Sequence, residues 1–171
     1  GKDITYAKGK ELRKLREQVS IVFQDPYSSL NPRSSVESTI REPLQEAHRF
    51  SKAEINARTE ELMDLVGIEE RLRLAYPHEM DGGRRQRVGI ARALPLFTLW
   101  GEPVSALDVS IQAQVLNLLM DLQEQMQLTY MFVTHDLSVV RHISDDICVM
   151  YLGQLVETSP SKELFLRPLH L

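Results

Sequence analysis

Four short polar stretches of this chain carry residue types that handle phosphate and water. Gln24 follows the apolar run QVSIVF, Glu102 comes just after LFTLW, and His135 follows TYMFVT. Gly82 and Gly83 open a helical pattern. In α/β folds, ligands bind at the carboxyl ends of strands and at the amino ends of helices. The order of these stretches therefore predicts one site that combines an amide, a carboxylate, an imidazole and free backbone N–H groups.

Each of these groups has a definite chemical use. A carboxylate such as Glu102 can orient or deprotonate a water molecule that attacks a phosphate. A neutral imidazole at His135 can hydrogen-bond a terminal phosphate, and the Gln24 amide can contact a metal-bound water. Two glycines at the start of a helix let backbone N–H groups approach an anion closely.

The same residues also have interpretations without chemistry. Glu102 fits an ordinary turn before a proline, His135 a surface position, and Gln24 a polar loop start. Ser105 and Asp108 lie in SALD, a tight turn before a helix, where the alternative is simple helix capping by Asp108 or Ser110. A flexible loop accounts for the glycine pair but not for the order of the four stretches.

Composition narrows the class of protein. The chain has 171 residues, 43% hydrophobic and 26% charged, which is typical of a globular chain with one core. A net charge of −4 argues against a general nucleic-acid binder. No apolar run could cross a bilayer or act as a signal region, so we expect no direct membrane insertion. The single cysteine, Cys148, is expected to be buried and fits a reducing compartment.

Strands and helices alternate along most of the chain, which predicts an α/β fold with a mainly parallel sheet. Strands are expected at 18–23, 96–100, 129–134, 146–152 and 154–159, and helices at 51–66, 82–94, 110–126 and 137–143. Residues 10–17 are expected to form a short charged helix or a turn. The stretch 41–75 is mostly helical and interrupts the strand-rich remainder. It therefore predicts a helical subdomain inserted in the α/β core.

Two helix starts have clear signals. Ser51 and Glu54 form a capping-box pattern, and Gly67 ends the helix that they begin. A last helix is expected to have Ser159 as its cap and Pro160 at its first position.

The whole chain resembles the ATP-binding subunit of ABC transporters, most closely the branch that imports oligopeptides, dipeptides and nickel. The similar segments are the glutamine loop FQDPYSSLNPR, the signature motif and helix YPHEMDGGRRQRVGIARAL, the end of Walker B with the D-loop EPVSALDVSIQAQVLNLL, the switch-histidine segment FVTHDLSVVRHISD, and the closing elements YLGQLVETSPSKELF. The resemblance implies a P-loop NTPase-like ABC ATPase core, with the N-terminal Walker A part missing.

The resemblance also implies a domain plan. Residues 1–171 would form a single, partial nucleotide-binding domain. Residues 1–24 would be a core strand region, and 25–94 the helical subdomain with the signature helix. Residues 95–171 would be a core with the Walker B-like, D-loop and switch-histidine segments.

Carried over by position, the family's functional residues fall on the motifs quoted above. Glu102 would be the catalytic base, and His135 the switch histidine at the γ-phosphate. Gln24 would contact a Mg²⁺ ion and sense the membrane subunits. The residues that contact ATP would be Gln24, Asp81, Gly82, Gly83, Arg84, Ser105 and Asp108.

The function that the resemblance implies is ATP hydrolysis that drives peptide import, with ATP and Mg²⁺ as cofactors. The partners would be a second ABC domain, identical or different, and transmembrane permease subunits. The location would be cytoplasmic, peripheral on the inner face of the cell membrane. The segment FQDPYSSLNPR favours this over a member of the superfamily that serves DNA repair or translation.

Four features depart from the family pattern. The 171 residues contain no G-x-x-x-x-G-K-S/T, and Gly101 stands where the Walker B aspartate is expected. PLFTLW is a few residues shorter than the family's segment, and Asp81 replaces the signature serine. A carboxylate about 4 Å from a γ-phosphate would cost ~4 kcal/mol at an effective dielectric of about 20, which Arg84 could partly offset. These departures leave ATPase activity open. They support a second hypothesis, a degenerate, non-catalytic fragment that acts as a partner-binding module.

Overall fold

The computed structural model describes residues 3–16, 19–22, 29–94, 98–101 and 109–169. The chain divides into two compact units, Gly1–Val133 and Thr134–Leu171. None of the helices in the described ranges is long and apolar enough to span a bilayer.

The sheet of the first unit is parallel, as predicted. Its strands β1 (Ser20–Ile21), β2 (Thr98–Gly101) and β3 (Thr129–Phe132) lie in the order β1–β2–β3. Both strand pairs are parallel, so the three carboxyl ends lie at one edge of the sheet. Strand β3 is shorter than the apolar run 129–134 that predicted it, since it ends at Phe132.

Helices make up most of the first unit. They are α1 (Gly9–Arg16), α2 (Val36–Glu46), α3 (Lys52–Leu65), α4 (Gly82–Ala93) and α5 (Val109–Met126), with 3₁₀ turns at Glu70–Leu72 and Pro77–Glu79. Helices α2, α3 and α4 lie between β1 and β2 in the chain, as expected of an inserted helical segment. Their core side chains include the fully buried Ile40, Leu44, Met63 and Ile90, with Leu119 and Leu122 from α5.

The capping box of α3 is confirmed. The Ser51 hydroxyl accepts a hydrogen bond from the Glu54 amide at 3.3 Å, and the Ser51 amide donates to the Glu54 carboxylate at 2.7 Å. Gly67 adopts φ = 66°, the left-handed conformation that ends a helix and favours glycine. The two ends therefore follow directly from local sequence.

A cluster of charged side chains ties α2 to α3 and to the turn at Glu70–Leu72. Glu37 accepts hydrogen bonds from Arg73 and from Arg41, and Arg41 also donates to Asn56. The Arg73 guanidinium, bonded to Glu37 at 3.0 Å, lowers the pKa of that carboxyl, and burial partly opposes the shift. The Glu37 side chain is only 15% exposed, so this cluster is better shielded from water than a surface ion pair.

The second unit contains α6 (Leu137–Ile143), β4 (Asp146–Tyr151), β5 (Gln154–Pro160) and α7 (Ser161–Leu166). Strands β4 and β5 form an antiparallel hairpin, so the parallel arrangement does not extend to them. Leu152 and Gly153 make its turn with φ of 47° and 78°.

Two expectations for the second unit were wrong. Ser159 and Pro160 belong to β5, because the pairing of Ser159 with Ile147 and of Pro160 with Asp146 extends the strand. Helix α7 therefore begins at Ser161, with Pro160 rather than Ser159 at its N-cap position. Cys148 is exposed rather than buried, because the alternating pattern of β4 places it on the more exposed face of the strand.

Candidate functional site

The predicted site residues fall into three groups. Gln24, Glu102, Ser105 and Asp108 lie outside the described residues. Asp81, Gly82, Gly83 and Arg84 lie together at the start of α4, in the first unit. His135 lies in the second unit. The convergence of all four polar stretches on one ligand therefore stays a prediction.

The amino end of α4 has the geometry of an anion site. Asp81 is its N-cap, with a carboxylate oxygen that accepts the Arg84 amide at 2.8 Å. Its carbonyl accepts the Arg85 amide at 3.1 Å. Within the part of the chain that the structure describes, no acceptor pairs with the amides of Gly82 and Gly83. These two N–H groups and the positive end of the helix dipole suit a phosphate.

An ion pair balances the charge of this helix end. The Arg84 guanidinium lies 3.2 Å from the second Asp81 carboxylate oxygen and 3.3 Å from a Glu69 oxygen. Glu69 also pairs with Arg71, whose hydrogen bond is the largest cause of the lowered pKa of the Glu69 carboxyl. Arg84 therefore neutralises the carboxylate that replaces the signature serine.

Glu69 was not found by sequence reasoning. It stands 15 residues before Arg84 and belongs to no motif with that residue. Its neighbour Glu70 has the same residue type and turns to Arg73 instead. Local spacing contains no signal that separates the two glutamates.

Gly83 has a packing reason as well as a possible binding role. A Cβ atom at this position would lie 2.6 Å from Cγ2 of Ile111 in α5, a distance that real Cβ atoms do not show. The glycine therefore lets α5 approach the first turn of α4. This contact explains Gly83 even without a ligand.

The far end of α4 contacts the part of the glutamine-loop segment FQDPYSSLNPR that the structure describes. Arg92 donates a hydrogen bond to the Ser29 carbonyl at 2.7 Å, and burial lowers the pKa of Arg92. Ser29 is the first described residue after 23–28. Helix α4 thus connects its own candidate anion site to the end of that segment.

The described residues do not form a magnesium site. Strand β2 ends at Gly101, which has no side chain to replace the expected aspartate. No group of three or more His, Cys, Asp or Glu side chains suited to a metal ion occurs within the described ranges. Gln24, the proposed metal contact, lies outside them.

His135 immediately precedes a capping residue. Asp136 is the N-cap of α6 and accepts the amides of Ser138 at 2.8 Å and Val139 at 3.4 Å. The hydrogen bond from the Ser138 amide is the largest cause of the lowered pKa of Asp136. Asp136 thus caps α6, while a phosphate contact by His135 stays a prediction.

The fold and the glycine-led helix define the class of protein. A family model described as ABC transporter matches residues 1–103, more than half of the chain, and the chain belongs to that family. The structure of cbiO1 from Clostridium perfringens, described as part of the ABC transporter complex cbiONQ, superimposes with a TM-score of 0.85 at 30% identity. It covers 96% of this chain and 65% of that one. The fold is therefore that of an ABC ATPase.

Several curated relatives are named as oligopeptide or dipeptide transport ATP-binding proteins. The Oligopeptide transport ATP-binding protein AppF of Bacillus subtilis (strain 168) is 51% identical over 174 residues, covering 99% of this chain and 53% of that protein. A dimeric post-hydrolysis structure of the ATP-binding cassette MJ0796, bound to ADP and Pi, has a TM-score of 0.74 at 28% identity. It covers 91% of this chain and 68% of that one. The chain spans about half the length of the curated relatives it matches.

Proposed function

We propose that this chain is part of the ATP-binding, energy-coupling subunit of a peptide importer, in which ATP hydrolysis drives transport. The identity of 51% to an oligopeptide transport ATP-binding protein supports the substrate class. The observation that carries the nucleotide-binding role is the amino end of α4. There, two glycine amides without acceptors among the described residues stand where the family has its signature motif.

The residues at this helix end would bind the phosphate chain in a defined way. The Gly82 and Gly83 amides would donate to phosphate oxygens, and the guanidinium of Arg84 would add a charge-assisted hydrogen bond. The Asp81 carboxylate would keep the Arg84 amide capped, and Arg84 would neutralise its charge. Bound ATP supplies the phosphoanhydride bond whose hydrolysis the family uses.

The remaining roles complete the proposal. Glu102 would accept a proton from the attacking water, and His135 would hydrogen-bond the terminal phosphate. Ser105 and Asp108 would contact the second ABC domain as the D-loop, and Gln24 would relay the state of the permease subunits. We assign no step to a magnesium ion.

The proposed assembly has two kinds of subunit contact. The MJ0796 cassette is dimeric, which supports pairing of this chain with a second ABC domain. The cbiO1 protein is part of a transporter complex, which supports contact with permease subunits on the inner face of the membrane. Within the chain, we propose a core region at 1–24, a helical subdomain at 25–94 and a second core region at 95–171.

The experiment measures ATP binding and turnover by the purified chain, with Glu102→Gln as the control. We expect ATP to bind and phosphate release to fall at least tenfold in the variant, because the proton acceptor is lost. Equal turnover in both proteins would show that Glu102 is not the base and would overturn the catalytic part.

A second candidate is a non-catalytic module that binds a competent ABC domain. Gly101, at the position of the expected aspartate, favours it specifically. This candidate predicts no ATP turnover by the wild type or by Glu102→Gln. It also predicts a stable complex between this chain and a catalytically competent ABC domain in sedimentation velocity.

A further inference from the structure

Arg84 is held by two carboxylates with different attachments. Asp81 caps the helix on which Arg84 lies, whereas Glu69 comes from the segment before the turn at Glu70–Leu72. The three side chains are all solvent-accessible, with Arg84 40%, Glu69 49% and Asp81 52% exposed. An anion that approaches Gly82 and Gly83 therefore meets an arginine whose charge is already paired.

Asp81 and Glu69 keep different partners when the Arg84 side chain moves away. Asp81 is anchored by the backbone amide of Arg84 at 2.8 Å, and this bond does not depend on the guanidinium. Glu69 holds only the guanidinium of Arg84, and it keeps Arg71 as a partner when Arg84 leaves. Release of Arg84 from Glu69 is thus the less costly change.

We propose that Glu69 is a positioning residue that holds Arg84 back from phosphate. A phosphate bound at the amino end of α4 takes over the Nη2 group that Glu69 now accepts from, while Asp81 stays in place as the cap. The inference rests on the proposed function, since it concerns the same helix end. It adds a residue outside the signature motif that sets the phosphate affinity of the motif.

The chain contains a matched control for this contact. Glu70 is adjacent to Glu69 and carries the same charge, yet it lies 3.1 Å from Arg73 instead of contacting Arg84. Glu69→Gln and Glu70→Gln therefore change the net charge equally and at neighbouring positions. Only the first of them removes the contact between Glu69 and Arg84.

The experiment titrates inorganic tripolyphosphate into the full chain, the two glutamine variants and Arg84→Gln, by calorimetry at low salt. We expect Glu69→Gln to bind tripolyphosphate roughly two- to fivefold more tightly than Glu70→Gln, the range of an exposed ion pair. Adding Arg84→Gln to Glu69→Gln should abolish that gain. The Arg84 Nε–H resonance should shift in Glu69→Gln before any ligand is added and stay in place in Glu70→Gln.

The outcomes separate this inference from the proposed function. Equal gains in the two glutamine variants would mean that net charge alone acts, which overturns the role of Glu69 and leaves the proposed function standing. Weaker binding by Glu69→Gln would overturn it in the same way. If no variant binds tripolyphosphate, both the inference and the proposed phosphate site at α4 fail.

Discussion

The amino ends of α3 and α4 are capped in the same way, by a side chain that accepts a backbone amide of the first turn. In both helices the N-cap side chain accepts the amide three residues on, at 3.3 Å from Ser51 and at 2.8 Å from Asp81. The side chains of the first turn differ, with Lys-Ala-Glu at 52–54 and Gly-Gly-Arg at 82–84. Helix α3 has its carboxylate within the first turn, at Glu54, whereas α4 has it at the N-cap, Asp81, and has no acidic residue in its first turn.

The difference shows that a helix end can be capped and still have backbone amides available to an anion. The Glu54 carboxylate of α3 satisfies the Ser51 amide and repels an incoming anion. In α4, glycines remove the side chains that would shield the amides, the Asp81 carboxylate is the cap, and a second carboxylate comes from Glu69 in another segment. Glu69 can move away from α4 without breaking the cap of that helix. Glu54 cannot move away from α3 in this way, because it is part of the capping box.

The largest effect is expected at the second position of the two helices. Gly83→Ala places a Cβ atom against Ile111, and overpacking of this kind should lower the free energy of unfolding of the first unit by about 3 kcal/mol. Hydrogen exchange of the α4 amides measures it. The substitution Ala53→Gly in α3 should lower the free energy of unfolding by less than about 1 kcal/mol, because no packed neighbour is involved.

Ile111→Ala provides the control for Gly83→Ala. Removing Cγ2 takes away the clashing atom. The double variant should therefore lose less unfolding free energy than the two single variants lose together. Additive losses would show that the Gly83 contact with α5 does not limit this position.

A smaller effect concerns the third capped helix, α2, whose first turn contains Glu37. Glu37→Gln should lower the free energy of unfolding by about 2 kcal/mol, because the change removes charge-assisted hydrogen bonds to Arg73 and Arg41. The pKa of Glu37 is lowered in the folded state below its ordinary value of 4.5. Its contribution is therefore complete above pH 4.5 and disappears as the pH falls through the lowered pKa.

Urea unfolding at pH 7 and at successively lower pH values checks this prediction. The difference between wild type and Glu37→Gln should shrink below pH 4.5, the ordinary value of this carboxyl. Glu46→Gln, at the exposed last residue of α2, should unfold like the wild type at both ends of the range. A difference that grows on acidification would contradict the assigned role of Glu37.

The smallest effect is expected at the two caps themselves. Ser51→Ala and Asp81→Ala each remove one hydrogen bond to the amide three residues on, and each should cost about 1 kcal/mol in thermal or urea unfolding. Asp81→Asn retains an acceptor and should recover most of that loss. If Asp81→Ala raised the free energy of unfolding, the carboxylate would destabilise this helix end, and its role as a stabilising cap would be wrong.

Local patterns predicted the helices well because their determinants lie within one turn. The capping box at Ser51 and Glu54, the stop at Gly67 and the helix that opens at Gly82 all follow from neighbours in sequence. The Ser159 cap was wrong because strand pairing with β4 outweighed the local helix signal. The expectation that Cys148 is buried was wrong because an apolar run does not show which of its residues face solvent.

The candidate site divides in the same manner. Asp81, Gly82, Gly83 and Arg84 could be read from the sequence, since a motif contains them. Glu69 and Ile111 could not, because each meets the motif only after other segments have folded against it.

The amino-acid sequence alone determined the family, the alternation of strands with helices and the glycine-led start of α4. These depend on residue order and on contacts within a turn. Only the tertiary structure decided that Glu69 rather than Glu70 holds Arg84, and that Ile111 packs over Gly83. Such contacts depend on the directions in which distant segments approach each other, and no spacing along the chain encodes those directions.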